Sequence, residues 1–401
     1  MSNHSSSIFQ DRKDFAAFSA WIISCLVLAI LTLIYFGHDF IGYFAAAKVL
    51  LIGGNPYDYN QVAPIIVEIT GSFGSHPYYY IPWFAWLITP LALLPFNIAR
   101  IFWMMINFIF WISGLLVSKK LFDWPDRGWK RWLLYLYATF SFVLITWRFE
   151  QVGGILFTLL IAAMVSIKSK KWFWAGVYLS LLLIKPNITL ILFAVIIIWL
   201  MRQGLWKPII TTGIILTSLL LLTTIATPDW FQPLLKPGFG NGLFYFLQNP
   251  DEVVGIRLNT TLVDWLIMMG LERNVSYVIN IIGLIIGIFC ITWVIVKSQS
   301  LMKYVVISII VTFAITPYAV QYDYPLLTLP IFWSLAEISQ KRGFRIVGYS
   351  ICVFIASVVI WEHPISDGYW MVIGVIVLVV FGWITALKNK TLPSGEQLTF
   401  N

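Results

Sequence analysis

Residues 78–96 read YYYIPWFAWLITPLALLPF, and the topology of the whole chain turns on them. The run is apolar and long enough to cross a bilayer core of about 30 Å. If it crosses, Lys119, Lys120, Arg127, Lys130 and Arg131 fall on the same side as the acidic segment that begins at Asp39. The N-terminus and the later basic loops then cannot both be cytoplasmic. If the run instead lies along the outer surface or dips into it, 19 of the 26 Lys and Arg residues fall inside. Cytoplasmic loops carry the excess of positive charge, so the second topology is the expected one. Pro82, Pro90 and Pro95 agree with it, because each removes a backbone donor and favours a broken surface helix over a straight span.

Outward from that run the chain is a succession of apolar segments. Spans are expected at 15–37, 98–118, 132–147, 152–167, 173–185, 187–201, 208–227, 277–296, 304–318, 325–339, 346–361 and 369–387, twelve in all. Of 401 residues, 60% are hydrophobic and only 11% charged, which excludes an ordinary soluble domain. The expectation is an all-α polytopic membrane protein, a single integral domain over residues 1–401 with both termini cytoplasmic. Two long outer segments, 38–97 and 228–276, are expected to carry juxtamembrane helices. Twelve of the 18 acidic residues then lie outside, a bias that membrane orientation does not require. The net charge of +8 reports cytoplasmic loops and does not call for a nucleic-acid partner. Cys25, Cys290 and Cys352 sit in apolar runs and the four His are scattered. Neither a disulfide framework nor a metal-ligand spacing is present, so no metal and no cofactor are expected.

Several of the hairpins are short. Lys171 to Arg202 is basic at both ends and breaks at Lys185-Pro186-Asn187. Each arm has about 15 residues, roughly 22 Å of helix against a bilayer core of about 30 Å. The arms around Arg148-Phe149-Glu150-Gln151 behave likewise. Polar breaks beneath the outer surface are tolerated where they line a water-filled cavity. The sequence therefore predicts an outward cavity on which Asp39, Arg100, Arg148, Gln151 and Lys185 converge, with Glu150 and Asp323 as further outer-side charges at helix ends.

Asp39 opens the stretch HDFIGYFAAAKVLLIGGNPY, residues 38–57, in which an amphipathic segment is followed by a Gly-Gly-Asn-Pro turn. A carboxylate at a membrane edge is costly unless it faces water, a partner or a substrate. One carboxylate with several cations around a cavity suits transfer from a lipid-linked phosphosugar. The leaving lipid phosphate needs positive charge more than it needs an acid, and Arg100, Arg148 or Lys185 can supply it. The acceptor hydroxyl needs a base, and Asp39 is available. A bland alternative stands beside each of these: a terminal Arg or Lys that snorkels, or a local pair between Arg148 and Glu150.

Asp39-x3-Tyr43-x2-Ala46 followed by Gly54-Asn55-Pro56-Tyr57 resembles the first outer loop of the polyprenyl-phosphate mannosyltransferases of glycosyltransferase family 87. The resemblance continues through Pro82-Trp83-Phe84, Pro90 to Pro95, Gln151-Val152-Gly153, Ala175-Gly176 and Lys185-Pro186. It implies a GT-C fold and an inverting transfer of mannose from a polyprenyl-phosphate donor. The acceptor would be a glycolipid or another cell-envelope glycan at the outer face of a bacterial cytoplasmic membrane. It implies Asp39 as base and Lys185 as donor-phosphate ligand; Tyr43, Asn55, Tyr57, Glu150, Gln151, Gln321, Tyr322 and Asp323 are the candidates for binding sugar beside them. The chain departs from the pattern in two places. Glu150 and Gly154 stand where the family usually has Gly and Asn, and the late outer loop, residues 317–324, lacks the His found in some relatives. Two other readings compete: a transporter or flippase of lipid-linked saccharides, which twelve spans and a midplane Lys would suit, and an O-antigen ligase or polymerase, which shares the lipid-phosphate chemistry.

Overall fold

The computed structural model describes residues 12–35, 39–71, 78–122, 128–232, 261–316, 318–339, 342–360 and 367–388. Among these, every extended element is a helix. Each of the twelve expected spans falls on a helix. Length and composition alone qualify five to cross a membrane, within Arg12–Ile34, Phe96–Ser118, Trp206–Ala226, Arg273–Lys297 and Tyr369–Leu387. Shorter apolar helices include Gly153–Lys168, Trp172–Leu182, Pro186–Arg202 and Leu301–Ile315. The centre of the second outer segment, residues 233–260, lies outside the described residues.

Helix α1 (Arg12–Tyr35) leads to α2 (Phe40–Leu51) and α3 (Tyr59–Thr70). Asp58 starts α3 by accepting a hydrogen bond from the Asn60 amide at 3.0 Å. The run at 78–96 forms only α4 (Pro82–Ala92), about 16 Å long at 1.5 Å per residue. Pro82 occupies its first position, where a missing N–H costs nothing. Leu93 to Pro95 then turn the chain into α5 (Phe96–Ser118). The amphipathic character expected after Asp39 is absent. Ten of the twelve residues of α2 are buried, because α3 and α4 cover it.

Helix α6 (Trp129–Ala138) runs through a π-helical turn, Thr139–Val143, into α7 (Leu144–Arg148). Thr139 is the reason the three segments register. Its hydroxyl accepts from Trp21 Nε1 at 3.1 Å and Trp111 Nε1 at 3.0 Å, and donates to the Tyr135 carbonyl at 2.8 Å. One buried side chain thus fastens α1 and α5 to the π turn. Removing its oxygen would orphan two buried indole donors at about 1–3 kcal/mol each.

There follow α8 (Gly153–Lys168), α9 (Trp172–Leu182), α10 (Pro186–Arg202) and α11 (Trp206–Ala226). The break between α9 and α10 is written locally. A residue preceding proline is pushed out of the helical region, and Lys185 has φ −128° and ψ 79°. Thr189 Oγ1 then closes on the Lys185 carbonyl at 2.9 Å. The C-terminal part holds α12 (Leu262–Met268), α13 (Arg273–Lys297), α14 (Leu301–Ile315), a 3₁₀ helix (Gln321–Leu327), α15 (Thr328–Ser339), α16 (Arg342–Ile360) and α17 (Asp367–Lys388). The 3₁₀ helix packs against α7, α8 and the π turn, in the middle of the fold. Gly153 permits this approach, since a Cβ there would stand 2.3 Å from the Tyr322 carbonyl.

Candidate active site

Asp39 precedes α2 as its N-cap, yet its carboxylate makes no capping bond to that helix. It instead accepts from Gln151 Nε2. Gln151 Oε1 accepts from the Tyr80 hydroxyl, and the Tyr80 oxygen accepts from the Tyr43 hydroxyl at 2.7 Å. Every proton in this relay points toward Asp39. Tyr43, Tyr80 and Gln151 are buried, while Asp39 itself is half-buried. Burial first, and then the negative charges of Asp323 and Asp39, push the Tyr80 hydroxyl well above its ordinary value, so it stays a donor.

A second cluster adjoins the first. Lys185 Nζ pairs with Asp323 Oδ1 at 2.5 Å, with both side chains buried. The ammonium stands 4.4 Å from the Tyr322 ring centre and 5.8 Å from that of Tyr80. Asp323 Oδ2 also accepts from the Val320 amide at 3.2 Å, which fixes the carboxylate at the start of the 3₁₀ helix. Desolvation raises the Asp323 carboxyl, and Lys185 opposes that rise. The lysine has three donors and Asp323 engages one of them, which leaves its chemistry compatible with a further anion. Tyr80 thus touches both clusters, with its hydroxyl in one and its ring in the other.

Arg100 and Glu150 form a third group. Arg100 pairs with the Glu150 carboxylate. Its remaining nitrogens donate to the carbonyls of Thr32 and Leu33 at 3.1 Å each, in the last turns of α1. Glu150 is 1% exposed and adopts φ +55°, a left-handed conformation that favours glycine. Its carbonyl accepts from Trp103 Nε1 at 2.7 Å. Burial lifts its carboxyl to about 7, against the pull of Arg100. Asp39 contributes to that rise, so the two carboxylates are electrostatic neighbours.

The sequence-derived candidates therefore separate into two sets. Asp39, Tyr43, Gln151, Lys185, Tyr322 and Asp323 converge, with Arg100 and Glu150 beside them. Arg148 lies further along, 5.8 Å from the Phe149 ring, which in turn sits 6.0 Å from Tyr322. Gln321 is half-buried at the head of the 3₁₀ helix. Asn55 and Tyr57 serve the loop. The Asn55 amide nitrogen reaches the Asp229 carbonyl at 2.9 Å, and Tyr57 donates to the Tyr80 carbonyl. Tyr80 is the residue that sequence reasoning passed over. Its place in an apolar run hid it, and its partner Gln151 is 71 positions away.

The model of glycosyltransferase family 87 matches residues 78–317. No curated protein and no solved structure matches the chain. The matched span contains Tyr80, Arg100, Glu150, Gln151 and Lys185, whereas Asp39 precedes it and Asp323 follows it. Both outlying carboxylates are nevertheless hydrogen-bonded to residues inside it.

Proposed function

The chain belongs to glycosyltransferase family 87, and we propose that it transfers a sugar, mannose by resemblance, from a polyprenyl phosphate to a glycolipid or cell-envelope acceptor at the outer face of a bacterial cytoplasmic membrane. The GT-C architecture and cytoplasmic termini belong to the same proposal. The observation that carries the reading is that one half-buried carboxylate, Asp39, and one buried ammonium, Lys185, both connect to Tyr80, the first through Gln151 and the second over its ring.

In this reading the acceptor oxygen attacks the anomeric carbon and its proton passes to Asp39. The bond from that carbon to the phosphate oxygen breaks, and its electron pair leaves with the polyprenyl phosphate. Configuration inverts, because a single displacement occurs. Lys185 stabilises the departing phosphate, and Asp323 balances the lysine's charge when the donor is absent. Arg100 holds the end of α1 and Glu150, so its part is to place the site; Arg148, half-buried beside Phe149, is a further candidate cation for the phosphate. Tyr322, whose ring faces the Lys185 ammonium, and Gln321 before it in the 3₁₀ helix serve the sugar. The chemistry is supplied by protein charges, without metal or cofactor.

The test is Asp39→Asn in reconstituted vesicles with a polyprenyl-phosphate sugar and a glycolipid acceptor. A positioned base contributes about 10²–10⁴-fold. Transfer should fall by that order while donor binding survives. Near-normal turnover in this variant would remove Asp39 from the mechanism.

A further inference from the structure

The structure points to one more residue. Resting on the transferase reading, we propose that Tyr80 is the positioning residue of the reaction, fixing the base through Gln151 and facing the donor-phosphate lysine with its ring.

The argument begins with the amide of Gln151. A glutamine side chain can turn over, exchanging its donor and acceptor ends. Only one orientation offers an N–H to a carboxylate. At Gln151 the acceptor-only carboxylate of Asp39 demands that orientation, and Tyr80, whose hydroxyl donates to Oε1, holds the amide in it. Nε2 is then obliged to face Asp39. The Tyr80 oxygen is itself occupied by the Tyr43 hydroxyl, so its proton has one direction left to it. The order is therefore set by the proposed base and held in place from the buried end by Tyr80 and Tyr43. Gln151 is held from the other side as well, because its backbone amide donates to the Thr146 carbonyl at 2.9 Å.

The ring of Tyr80 does a separate task. It lies 5.8 Å from the Lys185 ammonium, within the range of cation–π attraction. It is also packed edge-on against Tyr43, with centres 4.8 Å apart, and at a tilt against Phe84 at 5.3 Å. A residue gripped in this way sets the spacing between base and cation. That spacing must match the distance from the acceptor hydroxyl to the phosphate across one sugar, because reacting groups must meet at about 3–3.5 Å.

Three variants separate the two tasks. Tyr80→Phe keeps the ring and removes the hydroxyl, and kcat should fall about tenfold with the donor KM unchanged. Tyr80→Leu also removes the ring, and donor KM should then rise about two- to tenfold in addition. Gln151→Leu should lose as much kcat as the double variant with Tyr80→Phe, since the hydroxyl acts only through the amide. A residue acting on kcat by a route other than Gln151 would give additive losses in kcat. Thermal unfolding of the same set, without substrate, reads the Tyr80–Gln151 bond independently of turnover. Coupling in stability and in kcat supports the proposal. Wild-type kcat and KM in Tyr80→Phe, or additive losses in the double variant, overturn it. A wild type inactive with every polyprenyl-phosphate sugar overturns the transferase reading and the positioning role together; coupling in stability alone would then leave Tyr80 a purely structural link.

Discussion

Gly153 and Gly154 are adjacent, yet alanine should act on them in opposite directions. A Cβ at Gly153 would meet the Tyr322 carbonyl at 2.3 Å and Pro325 at 3.1 Å. A Cβ at Gly154 would meet only Trp111, at 3.7 and 3.8 Å, which is ordinary contact. To restore even 3.0 Å at Gly153, the carbonyl must retreat by about 0.7 Å within a close-packed interior. That carbonyl also accepts from Thr146 Oγ1 at 2.8 Å, and the next residue is Asp323. Overpacking costs about 1–3 kcal/mol, and the threatened hydrogen bond adds about 1 kcal/mol. Gly153→Ala should therefore cost about 2–4 kcal/mol. Gly154→Ala should be neutral or slightly stabilising, because alanine loses less backbone entropy in a helix. Thermal unfolding in one detergent reads both, and transfer should fall only in Gly153→Ala, as the 3₁₀ helix carries Asp323 away from Lys185. Equal melting temperatures and equal activities for the two variants would refute the view that this glycine seats the 3₁₀ helix.

The Lys185–Asp323 pair offers a second test. Lys185→Met or Asp323→Leu alone strands a buried charge at about 3–5 kcal/mol, whereas both together should recover most of the stability and none of the transfer; a double variant as unstable as either single one would show that the pair is not coupled. The third concerns Glu150, whose carboxyl rises from an ordinary 4.5 to about 7 in the fold. Between those values the folded state holds more protons than the unfolded chain, so stability falls as pH rises through that window. Melting temperatures at pH 5 and pH 8 should differ in the wild type and draw together in Glu150→Gln; an unchanged pH slope in the variant would assign the effect elsewhere. For topology, cysteines placed at Ser169 and Glu68 in a background lacking Cys25, Cys290 and Cys352 should react from the cytoplasmic and outer sides respectively. Labelling of both from one side would overturn the reading of residues 78–96.

Helix positions were legible in the sequence because apolar length and proline breaks act locally. The Lys185-Pro186 break needed nothing beyond the steric effect of proline on the residue before it. Asp39, Gln151, Lys185 and Asp323 were legible as polar groups that an apolar chain must accommodate. Their partners were not, because pairing is decided by packing. Asp323 was named as a neighbour of sugar and turned out to be the counter-charge of Lys185. Arg100 was named for phosphate, but its guanidinium is occupied by Glu150 and two carbonyls of α1. The residues after Asp39 looked amphipathic until α3 and α4 covered both sides of α2. The close approach at Gly153 is invisible in one dimension, since nothing in the sequence marks which glycine a distant carbonyl will meet.

The left-handed backbone at Glu150 bears on how this site can change over time. Such a conformation suits glycine, and the residue before Gln151 is usually glycine in the family that the chain resembles. Adopting glutamate there costs on the order of 1–3 kcal/mol in backbone strain, and it adds a negative charge that, among the described residues, Arg100 answers. Positions 100 and 150 therefore carry a shared constraint. Reverting Glu150 to glycine would relax the backbone and leave Arg100 its two carbonyl contacts. Losing Arg100 first would bury an unanswered carboxylate next to Asp39. The order of substitution is thus directional, and among homologues an acid at position 150 should be found with arginine at position 100 far more often than without it.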